Sequence, residues 1–155
     1  MLDAADRRLL AVLQADARAS VARLAEASGL SPASVQRRLK RLREEVIAAE
    51  AAVLDPKAAG FPVTALVMVE LERDRADHLD AFARKVWAEP QVMTCDVVTG
   101  ETDFVLRLAC RSLEDFEAVT KRLLYSDPNV RKFRTNIVIR TAKDTRALPM
   151  GPGAD

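Results

Sequence analysis

The sequence predicts an α+β chain of two modules, a basic helical one followed by one with the order β-α-β-β-α-β. Three observations predict it. Residues 1 to 43 hold nine Lys and Arg against four acids, a balance of +5, whereas the remainder holds fifteen against nineteen, a balance of −4. Apolar residues recur at helical spacing in three short runs before residue 45. Beyond residue 62, β-branched runs alternate with helical patterns in a β-α-β unit that recurs after about 40 residues, the ferredoxin-like plan.

Composition excludes several function classes before any motif is read. A chain of 155 residues with 49% hydrophobic and 30% charged residues belongs with ordinary globular proteins. No apolar run approaches the roughly 18 to 20 residues that cross a bilayer, and the start carries Asp3 and Asp6 where a secretory signal carries cations. No membrane partner is expected, and the expected location is cytoplasmic. Cys95 and Cys110 are too few for a disulfide framework and too far apart for a C-x-x-C site. His78 is the single histidine, flanked by Asp77, Leu79 and Asp80 in a helical pattern, which leaves little material for a triad or a metal centre. Neither catalysis, a cofactor nor a metal is expected.

In the basic module, Asp3 caps a first helix over residues 4 to 15 whose apolar stripe is Leu9, Leu10 and Leu13. Both Asp3 and Asp6 suit the positive start of that helix. Ser20 caps a second helix with Val21, Leu24 and Ala25 inward, and Gly29 stops it in a sharp turn. Ser31 caps the third, Pro32 occupies its first position, and Val35, Leu39 and Leu42 recur at i, i+4, i+7 to about residue 44. Two short helices joined by a glycine-containing turn outline a helix-turn-helix, with the third helix as the reader.

Residues 31 to 43 carry five cations and no acid. Major-groove insertion needs polar groups for base edges and cations for the flanking phosphates. Ser34, Gln36 and Arg37 are expected at bases and Arg38, Lys40 and Arg41 at the backbone of double-stranded DNA, with Ser31 at the helix start a further DNA-binding candidate. Val46-Ile47 and Ala51 to Leu54 are expected to supply short extended segments for a wing and a connector, and Asp55-Pro56 ends the module. The competing view takes the run as a solvated face, or as a surface for an acidic protein attached to an amino-acid-binding module.

In the second module, residues 63 to 71, bounded by Pro62 and Asp74, form the first strand. Leu79, Phe82, Ala83 and Val86 continue as a helix to Trp87. Val92 to Val98 and Asp103 to Cys110 form a hairpin across Thr99 to Thr102, a helix follows with Phe116, Val119 and Leu123 on one side, and Val130 to Arg140 closes the sheet. With 98 facing 103, Met93, Cys95, Val97, Phe104, Leu106 and Leu108 share the helix-covered face, and Cys95 faces Leu106 rather than Cys110, so no disulfide is expected. Val92, Thr94, Asp96, Val98, Val105, Arg107 and Ala109 occupy the other face. It is too apolar for a plain water-facing surface, and the economical cover is the same sheet of a second copy, giving a two-fold dimer.

Leu2-Asp3 before Asp6-Arg7, Leu24-Ala25, Gly29-Leu30-Ser31, Val35, Arg38-Leu39, Val46-Ile47, Val98-Thr99-Gly100 and Asp103-Phe104 stand in the order and spacing of a known family. The chain resembles the Lrp/AsnC, or feast/famine, transcription regulators from residue 2 to about 141. The resemblance implies a winged helix-turn-helix on DNA over 1–48, a linker over 49–61, and a ferredoxin-like (RAM/ACT-like) domain over 62–141. That domain would dimerise, assemble further, often to octamers, and bind a small-molecule effector, commonly an amino acid. Matched residue by residue, the family's effector loop falls on Thr99, Gly100, Glu101, Thr102 and Asp103, with Thr135 and Asn136 of the last strand lining the same pocket. Backbone N–H groups near Gly100 suit a carboxylate, and Glu101 or Asp103 suits an ammonium. Two departures stand out. Glu45 replaces the usual glycine after the third helix, and Glu50 replaces an aromatic residue near the wing. Residues 142–155, with Pro149, Gly151, Pro152 and Gly153, read as a mobile tail.

Overall fold

The computed structural model describes residues 1–73 and 75–150; Asp74, expected to bound the first strand, and the last five residues of the expected tail lie outside the described residues. Two compact units are formed, one of Met1–Ala52 with the C-terminal segment from Lys143, the other of Val53–Ala142.

The first unit contains α1 (Ala4–Ala15), α2 (Val21–Ser28) and α3 (Pro32–Glu45). Each start is capped as the sequence predicts. The Asp6 N–H donates to Asp3 Oδ1 at 2.8 Å, the Arg23 N–H to Ser20 Oγ at 3.2 Å and the Ser34 N–H to Ser31 Oγ at 3.3 Å. Gly29 takes φ 71° at the end of α2 and turns the chain, a conformation that any side chain would strain. Leu9, Leu10, Leu13, Leu24, Val35, Leu39 and Leu42 close into one core, each such side chain contributing about 1.5 to 3 kcal/mol on burial. α3 stops at Glu45 without glycine. Val46 adopts φ −128°, and the N–H groups of Val46 and Ile47 both donate to Leu42 O, at 2.9 and 2.8 Å.

The expected wing is not formed. Residues 46–62 contain no strand, and no strand among the described residues pairs with them. Glu50 accepts instead from Arg43 Nε at 3.1 Å, which ties one acid to one cation of α3.

The tail also departs from expectation. Leu148 N–H donates to the Gln14 side-chain oxygen at 2.6 Å, the Gln14 amide returns a bond to Leu148 O at 3.1 Å, and Met150 packs against the helical core. A carboxamide that both donates to and accepts from one backbone residue holds an extended segment as a strand neighbour does, so Gln14 anchors what composition marked as mobile. Deleting residues 143–155 is expected to lower the stability of the helical unit by about 1 to 2 kcal/mol, read as an earlier loss of helical circular dichroism on heating.

The second unit contains β1 (Val63–Leu71), α4 (Ala76–Trp87), β2 (Val92–Val97), β3 (Phe104–Cys110), α5 (Leu113–Thr120), which runs into a π-helical turn at Lys121–Tyr125, and β4 (Val130–Ile137). The strands form one antiparallel sheet in the order β2-β3-β1-β4. Ala65, Val67, Val69, Phe104, Leu106 and Leu108 are buried on one face against Phe82, Val86, Val119 and Leu123 of the helical layer, with the Phe82 and Phe104 rings 4.7 Å apart. As expected, Cys95 faces Leu106, and both cysteines are free. A register shift between Val92 and Thr94 overturns one assignment: Val92 packs on the core and Met93 is exposed, since one extra residue exchanges the faces of a strand. Leu66 and Met68 of β1, with Val105 of β3, occupy the opposite face, Met68 standing between Val105 and Arg134. No helix among the described residues is long and apolar enough to cross a membrane.

Candidate nucleic-acid interface and effector loop

α3 buries one stripe and presents another. Val35, Leu39 and Leu42 are at most 6% exposed, and this seam orients Ala33, Gln36, Arg37 and Lys40 outward, all exposed. Four of the seven residues expected on DNA, Ser31, Ser34, Arg38 and Arg41, are engaged inside the protein. Ser31 and Ser34 are joined by a 3.0 Å hydroxyl–hydroxyl bond at the start of α3, with Ser34 half-buried. Arg43 is held by Glu50, as described.

Arg38 and Arg41 face acids of α1. Asp6 is 1% exposed, and its two carboxylate oxygens accept from Arg38 Nη1 at 2.8 Å and from Arg41 Nη2 at 2.5 Å. Arg38 Nη1 also donates to Asp3 Oδ2 at 2.6 Å. The two cations expected at phosphates are thus engaged inside the protein, because Asp6 continues the inward stripe of Leu9, Leu10 and Leu13 and needs countercharge where it is buried. Burial pushes the Asp6 carboxyl up, but the hydrogen bonds from Arg41 and Arg38 and from the Asp3 N–H outweigh it and hold it below its ordinary value. The Asp6 N–H and the Arg38 guanidinium lower Asp3, the carboxylates of Asp3 and Asp6 raise Arg38, and that of Asp6 raises Arg41. The sequence analysis missed this pairing, although the placement of Asp6 three residues before Leu9 was a signal for it.

At the other candidate site, the loop between β2 and β3 is pinned to the end of β1. The Thr102 hydroxyl donates to Val69 O at 2.7 Å, the Asp103 N–H donates to the same oxygen at 2.9 Å, and Asp103 Oδ2 accepts from the Leu71 N–H at 2.7 Å. Leu71 lies at a register shift of β1 against β4, and the Asp103 carboxylate satisfies the N–H there. That bond engages one Asp103 oxygen that the sequence reading offered to an ammonium. Thr99, Gly100 and Glu101 form the free turn, Gly100 at φ 122° and Glu101 exposed.

The last-strand residues separate. Thr135 pairs with Val67, whose side chain points to the helical layer, and lines an open cavity of about 610 Å³ with Phe116, Thr120, Tyr125 and Phe133. Asn136 points to the other face, its amide nitrogen 3.8 Å from Met68 Sδ. Successive strand residues alternate faces, so Thr135 and Asn136 do not line one pocket in this chain. Arg134, which the sequence analysis did not single out, shares the face of Asn136 and approaches Glu101 at 3.7 Å.

Two family models account for most of the chain. The AsnC-type helix-turn-helix domain matches residues 2–43, and the Lrp/AsnC ligand binding domain matches residues 64–148. The chain belongs to the Lrp/AsnC family. As an Lrp/AsnC protein it is a DNA-binding transcriptional regulator with an effector-binding domain. It is 42% identical to an HTH-type transcriptional regulator of Sinorhizobium fredii over 96% of this chain and 89% of the relative. It is 31% identical to the DNA-binding transcriptional activator DecR of Escherichia coli K12 over 97% of this chain and 99% of the relative. Among solved Lrp/AsnC-like structures, the L-methionine complex of a transcriptional regulator from Neisseria meningitidis superposes with a TM-score of 0.89 and 31% identity over 97% of each chain.

Proposed function

We propose that this regulator reads duplex DNA with Gln36 and Arg37 at base edges and Lys40 at a phosphate, as a two-fold dimer, under the control of an amino acid. The exposed stripe Ala33, Gln36, Arg37 and Lys40, held outward by the buried Val35, Leu39 and Leu42, carries the DNA reading. A small residue, an amide and two cations on one convex face satisfy what a major groove selects. Leu66, Met68 and Val105 on the sheet face opposite the helices supply the apolar patch that a second copy covers, and two reading helices then meet two half-sites.

Glu101 and Arg134 support an amino acid as the effector. They are opposite charges 3.7 Å apart beside the Gly100 turn, and a zwitterion exchanges that exposed pair for two complementary ones, its carboxylate on Arg134 and its ammonium on Glu101. The L-methionine bound by the Neisseria relative is of this class. Binding there changes the packing between subunits and shifts DNA affinity through linkage.

The test is a titration of a duplex selected from a random pool, with and without each amino acid. A ligand that changes the dissociation constant at least fivefold, about 1 kcal/mol of coupling, is the expected result; equal affinity with all twenty removes the effector reading. Arg37→Ala is expected to weaken the selected duplex about 5- to 100-fold and a random duplex far less, read by fluorescence anisotropy.

A further inference from the structure

α3 carries more cations than it presents. Taking about 100° per residue around a helix, Val35, Leu39 and Leu42 define the buried side, Ala33, Arg37 and Lys40 the opposite side, and Ser34, Arg38 and Arg41 one flank. That flank lies against the N-terminal turn of α1, where Asp3 and Asp6 close on Arg38 and Asp6 closes on Arg41. The guanidiniums remain only partly exposed, Arg38 at 25% and Arg41 at 38% of the side chain.

We propose that Asp6, assisted by Asp3, is a positioning residue that withholds Arg38 and Arg41 from the duplex and fixes the face on which Gln36, Arg37 and Lys40 are presented. This rests on the DNA reading above and deepens it.

The energetic comparison decides between the two partners open to each arginine. A phosphate contact at a wet interface exchanges a solvated cation for a counterion and is screened by salt. Moving Arg38 or Arg41 to that phosphate strips a hydrogen bond from a carboxylate that is 1% exposed, and a buried ion deprived of its partner is strongly disfavoured. The arginines therefore stay on Asp6 when DNA arrives. Because Arg38 and Arg41 leave α3 on the same flank one turn apart, one buried carboxylate sets the rotation of α3 about its axis against α1. A phosphate-seeking cation released from that flank would compete with Arg37 and Lys40 for the backbone and pull the helix off its base-reading register.

The test measures how the affinity of the full chain for a selected and a random duplex depends on salt. Lys40→Gln is expected to reduce the log–log salt slope by about one, whereas Arg41→Gln leaves the slope unchanged. Asp6→Asn is expected to steepen the slope by about one to two, as the freed cations reach phosphates, and to narrow the selected-to-random ratio several-fold. Asp6→Glu, which keeps the charge, restores part of that ratio. A slope reduced by one in Arg41→Gln overturns the proposal, as does an Asp6→Asn chain that folds with slope and ratio both unchanged. If Asp6→Asn does not fold, the Arg41→Gln slope decides. If the wild-type chain holds no duplex at all, the DNA reading fails, and the clamp is judged by denaturation of Asp6→Asn, Arg41→Gln and the double variant in urea: non-additive midpoints support it and additive ones remove it.

Discussion

Asp6→Ala lowers the stability of the helical unit by about 2 to 3 kcal/mol, which for a unit of this size moves its thermal midpoint by roughly 10 to 20 °C. Two terms make up the loss. The substitution deletes a carboxylate whose two oxygens bind the guanidiniums of Arg38 and Arg41, and it removes the side chain that closes the capping box on the Asp3 N–H at 3.2 Å. Both arginines retain access to water, so the figure lies below that of a fully buried pair. The effect depends on pH with a definite sign. The Asp6 carboxyl titrates below its unfolded value of 3.8 in the folded chain, so its contribution is fully present above that value and disappears as pH falls through the lowered one. The difference between wild type and variant is accordingly full at neutral pH and shrinks on acidification below 3.8. Urea unfolding followed by far-ultraviolet circular dichroism checks this; a difference independent of pH would show that Asp6 acts by packing alone.

If the proposed two-fold dimer forms through the sheet, Met68→Glu is expected to leave the chain monomeric and, with that, to weaken binding to a two-half-site duplex about 100-fold or more. Met68 stands at the middle of the uncovered sheet face, between Val105 of β3 and Arg134 of β4. In a two-fold interface the substitution enters twice, and each carboxylate loses water beside a single cation, Arg134, that already faces Glu101, a cost of roughly 2 kcal/mol or more apiece. The monomer itself keeps its fold, because the core formed by Val67, Val69, Phe104 and Leu106 lies on the other face of the sheet. Sedimentation velocity reads the mass, and anisotropy on one and two half-sites reads the lost avidity. A variant that sediments with the wild type would place the subunit contact elsewhere.

Much of the architecture was legible from local rules. Asp3, Ser20 and Ser31 mark the helix starts, and each is found capping one. β1 occupies Val63–Leu71, the span that β-branched composition predicts, and the Cys95–Leu106 pairing follows from counting back from the hairpin. These features depend on neighbours a few residues apart, where side-chain type acts directly on the backbone. The candidate sites were less legible. Thr135 and Asn136 are adjacent in sequence and face opposite sides of the sheet, Met93 exchanges sides with Val92 at a bulge, and the tail finds Gln14 across 134 positions.

Family, element order and the basic composition of the reading helix were therefore determined by the amino-acid sequence alone, through periodicity, caps and the residues matched from Leu2 to Phe104. Which cations of that helix are free for a partner was decided only by tertiary structure. Arg37 and Arg38 are consecutive and chemically identical, yet one is turned to solvent and the other is held by Asp3 and Asp6 from more than thirty positions away. Charge is a property of the residue, but its availability depends on what folding places beside it.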